Sequence, residues 1–348
     1  METNYISSVM RQTPTRVWVN NPVEAEVERG IEMRVVGATT NPTYVMKLHK
    51  KDEVRPVVES EIRALLATEA DDQRLIARLE MRMVGRIAKM LLPVYEETHG
   101  ERGLVAIQGN PFHDNDADYM VQEALQFFTV SPNIIVKIPG TCAGVDAFRT
   151  LTAMNKKLIV TGCVSVSQIS AFQRAYMEVH ERDGLSPRLF VTTLAGPMDE
   201  FSKAYIAENH ITLSDEALSV LGNQFSKMCY RYCREQGFPG RLMGGGARSY
   251  SNFSEIVGGD MDSTLNYVFI EQLNALNLPV ESRIDCFCSR EIYNELTTAL
   301  PYYGPSCEPG GLKNEAFDRH PPFVAFRDAF VKAWNYLAGV VANQRAGR

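Results

Sequence analysis

The sequence predicts a parallel (β/α)8 barrel, built as one domain across its 348 residues. Short apolar runs rich in β-branched residues recur at eight places, with longer amphipathic stretches between them. Strand alternating with helix in this way is the mark of a parallel sheet. No GxGxxG follows an early run, and the glycines at 244–246 come too late and too bare to make one. An open dinucleotide-binding sheet therefore loses to a closed barrel, which routinely uses more than about 250 residues as one unit.

In chain order the expected strands are 17–20, 35–39, 104–108, 134–138, 158–162, 189–193, 241–245 and 265–269. The clearest helical patterns lie at 116–128, 144–155, 167–182 and 214–236. They place the barrel at about 16–276 and leave two additions. Residues 50–100 are charged, and Ile62, Leu65, Ile76, Leu79, Met83 and Ile87 fall near helical spacing, so a pair of helices is expected after strand two. The tail, 277–348, carries Pro301, Pro305, Pro309, Pro321 and Pro322 before an amphipathic helix at 324–341. Such a tail is a lid, an oligomer contact or a closure of the barrel bottom.

Thirty-six basic against forty-two acidic residues give a net charge of −6, which offers no footprint for nucleic acid. No apolar run reaches the length of a membrane span, and the first residues lack the charged-then-apolar order of a signal peptide, so no membrane partner and a cytoplasmic location are expected. The seven cysteines are odd in number and lack paired zinc spacings, and the six histidines are scattered. Reduced structural thiols, no metal and no cofactor are the expectation.

Lys137 stands in an otherwise apolar strand, Asn133-Ile-Ile-Val-Lys-Ile-Pro-Gly, followed by a helix rich in small residues. An inward-facing lysine there is desolvated, its charged form is disfavoured, and the free amine is available to attack a ketone. A lone strand lysine is more often one that snorkels at the strand end. The surrounding spacing decides between them. Lys137-Ile-Pro-Gly-Thr141, with Gly144, Ala147 and Leu151 beyond, resembles the active-lysine motif of the transaldolase family, and Thr39-Thr40-Asn41-Pro42 resembles that family's loop after strand two. The likeness continues through Thr161 and Ser165 of strand five and through residues 244–256 of strand seven.

This resemblance implies a barrel of the class I aldolase type, in which the Lys137 amine forms a Schiff base with a ketose or dihydroxyacetone and a three-carbon ketol unit is cleaved off or transferred. It also implies sugar metabolism of the pentose phosphate kind and a homo-oligomer. Gln108 stands where transaldolases place a glutamate and related fructose-6-phosphate aldolases a glutamine. With Thr161 it would hold a water, making Lys137, Gln108 and Thr161 the expected catalytic set. Asn20, Thr40, Asn41, Ser165, Leu194, Arg248, Ser249 and Tyr250 are the expected substrate-binding set.

The match departs from the family at four places. The usual strand-one aspartate falls on Asn20 or Asn21, and an amide cannot take its proton. The strand-five asparagine is Ile159. Leu194 and Pro197 stand where an aromatic residue and a phosphate-binding arginine are expected, and the second such arginine falls near Ser251, with Arg248 close by. Each lost bidentate arginine forfeits about 1.5–3 kcal/mol of charged hydrogen bonding, which argues for an unphosphorylated or unusual carbonyl substrate. Tyr250 is a further candidate for proton transfer, whereas Asp146, Asp199 and Asp260 read as surface, helix or cap residues. Two alternatives stay open: a barrel that uses the imine for non-aldol chemistry, and a homologue that has lost catalysis and binds a carbohydrate or a partner.

Overall fold

The computed structural model describes residues 4–347. Eight parallel strands close on themselves: β1 Arg16–Asn20, β2 Gly37–Thr39, β3 Leu104–Gln108, β4 Ile134–Pro139, β5 Leu158–Thr161, β6 Leu189–Thr193, β7 Arg241–Gly244 and β8 Asp262–Asn266. The β8–β1 pairing that completes the ring runs from Arg16 opposite Asp262 to Asn20 opposite Asn266. Among the described residues no helix is long and apolar enough to cross a membrane.

Side chains alternate across each strand, and this period of two sets what faces the lumen. Trp18, Ala106, Ile135, Ile159, Phe190 and Met243 form one buried cluster inside the ring, with the Trp18 and Phe190 rings edge to face at 5.3 Å. Their neighbours Val105, Ile107, Val136, Ile138, Val160 and Val191 belong to the cluster shared with the outer helices. Two residues beyond five of these lumen residues, toward the C-terminal ends of the strands, come Asn20, Gln108, Lys137, Thr161 and Thr192, and Gly245 follows Met243. An apolar floor thus lies beneath a polar mouth.

The last strand differs from the expected 265–269. It starts three residues earlier, at Asp262, and Tyr267–Leu276 is a helix. The reason lies in a polar run turned inward. Asp262 accepts from Trp18 Nε1 at 2.5 Å and pairs with Arg241, while Thr264 meets Thr39 at 2.6 Å. The apolar signal at 265–270 belongs partly to the helix, which buries Ile270 and Leu273 at helical spacing.

Between β2 and β3 lie the helices Tyr44–Lys50, Arg55–Leu65 and Asp72–Glu97. The last two coincide with the charged insertion, and they bury the positions whose spacing marked it, including Ile62, Leu65, Ile76, Leu79 and Met83. The C-terminal helix is longer than expected, Pro321–Ala346, because its two prolines occupy the first turn, where no backbone N–H is needed. It crosses the barrel mouth rather than the bottom. Arg327 pairs with Asp114 after β3, Trp334 Nε1 donates to Gln73 at 2.6 Å, Tyr336 meets His49 at 2.9 Å, and Arg345 pairs with Asp72 at 2.6 Å. This helix is an anchored roof.

Candidate active site

Beneath that roof, at the C-terminal ends of the strands where barrel sites form, lies a cavity of about 410 Å³. Lys137 and Thr161 line it, together with Asn20, Asn41, Thr192, Leu194, Arg248, Thr264 and Asn266.

Lys137 is 6% exposed, and its Nζ donates to the carbonyl of Thr40 at 3.0 Å. It makes no ion pair among the described residues. Its registered neighbours are Gln108 on β3 and Ile159 on β5. With an apolar residue below and no anion beside it, burial alone pushes the amine down to about 7. At neutral pH a large share is therefore the neutral nucleophile.

Gln108 is buried and its Oε1 has no hydrogen-bond partner among the described residues; the same holds for Thr192 Oγ1. Buried acceptors left open in this way are ready for a bound hydroxyl or a water. Thr161 is also buried, and its backbone fixes the loop after β4 by accepting from Gly140 at 2.6 Å.

Asn20 turns inward and belongs to an amide–hydroxyl chain: its Nδ2 donates to Asn266 Oδ1 at 2.9 Å, and its Oδ1 accepts from Thr39 at 3.0 Å. Asn21 instead takes a left-handed turn (φ 49°) and leans on Asn41. Of the two, Asn20 faces the lumen. Asn41 Oδ1 accepts from the backbone and hydroxyl of Thr43 at 3.0 and 2.6 Å, so its oxygen shapes its own loop and its amide nitrogen remains for a ligand.

Several expected binding residues are not brought to the cavity. Thr40 turns its hydroxyl to Ala106 O at 2.7 Å and contributes only its carbonyl, to Lys137. Ser165 caps the helix Val166–Asp183, accepting from Gln168 N at 3.1 Å. Ser249 pairs with Ser251 at 2.8 Å, and Tyr250 is half exposed outside the cavity. Serine at a strand–helix junction satisfies orphan helix donors, a role that outweighs ligand binding for Ser165. Of the three aspartates, Asp199 holds Gly222 N and Asn252, Asp146 pairs with Arg149, and Asp260 pairs with Arg241.

Arg248 does reach the cavity, but Glu200 holds its Nε at 2.8 Å and Gly246 O holds its Nη1 at 3.0 Å. Next to it Pro197 fills the wall, and the chain closes so tightly that a Cβ on Gly196 would lie 1.9 Å from Gly246 O. Lys47 lines the rim of the cavity and is exposed to solvent. Sequence reasoning missed Lys47, Thr192, Thr264 and Asn266, and also the roof residues Phe326 and Phe330. For Thr192 the signal was present, since it follows Phe190 by two on the same strand. Lys47 gave no signal.

A closed parallel barrel thus carries a desolvated lysine, without an ion pair among the described residues, at its mouth. The transaldolase/fructose-6-phosphate aldolase family model matches residues 18–299. The chain belongs to this family. It is 32% identical over 145 residues to the transaldolase of Thiobacillus denitrificans, covering 41% of this chain and 40% of that one. Transaldolases of Mycolicibacterium smegmatis and Mycobacterium bovis are 29% and 28% identical over 150 residues, covering 42% of this chain and 40% and 39% of theirs. The chain thus matches about two fifths of the length of these curated relatives.

Proposed function

We propose that this protein is a class I aldolase or transaldolase whose Lys137 forms a Schiff base with an unphosphorylated ketose or a dihydroxyacetone unit. The neutral amine adds to the ketone carbon, water leaves, and a protonated imine remains. Loss of the proton from the hydroxyl on the fourth carbon breaks the bond between the third and fourth carbons: the fourth carbon leaves as an aldehyde, and the electrons of the bond pass into the imine to give an enamine. Protonation and hydrolysis release the three-carbon unit, or the enamine carbon attacks an aldehyde and transfers it.

The single observation that carries this reading is Lys137 itself, buried, without a carboxylate partner, and facing the cavity with its amine lowered to about 7. Gln108 and Thr161 hold the water that moves protons, and the chain Thr39–Asn20–Asn266 receives the hydroxyls of the three-carbon unit. An amide at position 20 cannot act as the base, so proton transfer rests on that water. Glutamine at position 108 favours release over transfer. Arg248, held by Glu200, and Pro197 support an unphosphorylated substrate.

The amide at position 20 also favours a second reading, an imine used for chemistry other than aldol cleavage. Incubation with fructose, fructose 6-phosphate and dihydroxyacetone, with chromatography of the products, separates the two. Free three-carbon product supports the aldolase. An adduct without carbon–carbon cleavage replaces it with the second reading, and a strong preference for the phosphate ester removes the unphosphorylated substrate.

A further inference from the structure

The cavity has two unlike sides. Its deep side, around Lys137, carries amides and hydroxyls. Its outer side is largely apolar, with Leu194, Pro197 and Phe201 on one flank and Phe326 and Phe330 of the roof on the other, and with Lys47, Glu200 and Arg248 at the rim.

The roof helix sets this geometry. Phe326 and Phe330 are four residues apart and share one face. Their rings meet at 4.7 Å and 71°, and Ala325 and Ala329 of the same helix also line the cavity. The Phe326 ring comes within 3.5 Å of where a Cβ on Gly162 would stand, beside Thr161. An aromatic wall therefore rises directly over the end of β5. This helix lies beyond residue 299, where the family match ends.

We infer that the outer side is the acceptor subsite and that the acceptor is an aldehyde bearing an apolar substituent of about the size of a phenyl ring. This rests on the proposed imine chemistry of Lys137. The three-carbon unit has six heavy atoms. At no more than the roughly 30 Å³ of a liquid water each, they fill less than half of the cavity. Rings and aliphatic groups supply much of the remaining wall, with Lys47, Glu200 and Arg248 at its rim, and a ring packed against them leaves water for aromatic contact. Of the two cations on the rim, Arg248 is already held by Glu200, and Lys47 is exposed. In the transfer step the enamine carbon bonds to the aldehyde carbon, the aldehyde oxygen takes a proton and becomes a hydroxyl, and the imine re-forms. Water then hydrolyses it, freeing the lengthened ketose and the Lys137 amine.

The test has two arms. In the first, dihydroxyacetone is supplied as donor, and kcat/KM is compared for phenylacetaldehyde and glyceraldehyde 3-phosphate. The inference expects at least about a tenfold preference for phenylacetaldehyde. It also expects Phe326→Ala to erase about tenfold of it, mainly through KM, and Phe326→Leu to restore most of the loss. Phe326 is only partly buried, so the variant keeps its roof helix. A preference for the phosphate, or an equal effect of Phe326→Ala on both aldehydes, overturns the inference. The second arm measures binding of 2-phenylethanol, which cannot form an imine, by calorimetry to the wild type and to Phe326→Ala. Binding weakened by the substitution supports the apolar subsite even if no imine forms at Lys137, and absence of binding to the wild type refutes it.

Discussion

The deep wall of the cavity and its outer wall were built under different constraints. The deep wall consists of strand ends, where each side chain's direction follows from the pleat and a one-residue slip would turn Lys137 into the helical layer. The outer wall consists of helix faces and a roof tied on by Arg327, Trp334, Tyr336 and Arg345. Strand ends fix where the reacting carbon must sit. Helix faces can change without disturbing it, so the proposed chemistry belongs to the first wall and the proposed substrate choice to the second.

The sharpest way to break this division is Lys137→Met. It should abolish carbon–carbon cleavage, by at least about a thousandfold, while the fold persists. It should also stabilise the protein, by about 4 kcal/mol near pH 7, because it removes a buried amine without an ionic partner. The sign follows from linkage. The unfolded lysine holds its proton to about 10.5 and the folded one only to about 7, so between those values the unfolded chain binds more protons and folding is favoured as pH rises. The stability gap between the variant and the wild type should therefore be widest at and below pH 7 and close toward pH 10.5 in denaturant titrations.

Next in size is Thr161→Val, which keeps the shape of β5 and removes one hydroxyl from the water site. A loss of about a hundredfold in kcat, with KM little changed, is expected from steady-state kinetics. The pH dependence sharpens the same wall: the rate of imine formation by the free protein should rise as pH passes through about 7 and then level off, as the Lys137 amine loses its proton. Stopped-flow trapping measures this. The smallest effect should come from the outer wall's rim. Arg248→Ala should change kcat/KM for an unphosphorylated ketose by less than about threefold, since its guanidinium is exposed and already paired with Glu200.

What the sequence disclosed follows the same division. Seven strands fall where their β-branched runs lie, and Lys137, Gln108 and Thr161 were legible because the period of two and the motif spacing agree on them. The eighth strand was misplaced because Asp262 and Thr264 hide polar side chains in the lumen, where composition gives no strand signal. Ser165 and Thr40 carry motif spacing, yet the local need to cap a helix and to bond Ala106 O turns their hydroxyls away. The roof was harder still to read. The tail showed an amphipathic helix, but a pattern along one helix does not say which distant strand ends it will cover, because that depends on contacts such as Arg327–Asp114, 213 residues apart.

One measurement bears most directly on the central claim: borohydride reduction in the presence of dihydroxyacetone, followed by digestion and mass mapping of the modified lysine. A reduced three-carbon adduct on Lys137, absent from Lys137→Met, is the predicted result. A protein that stays unmodified, or an adduct carried by another lysine and retained in the variant, would contradict the account.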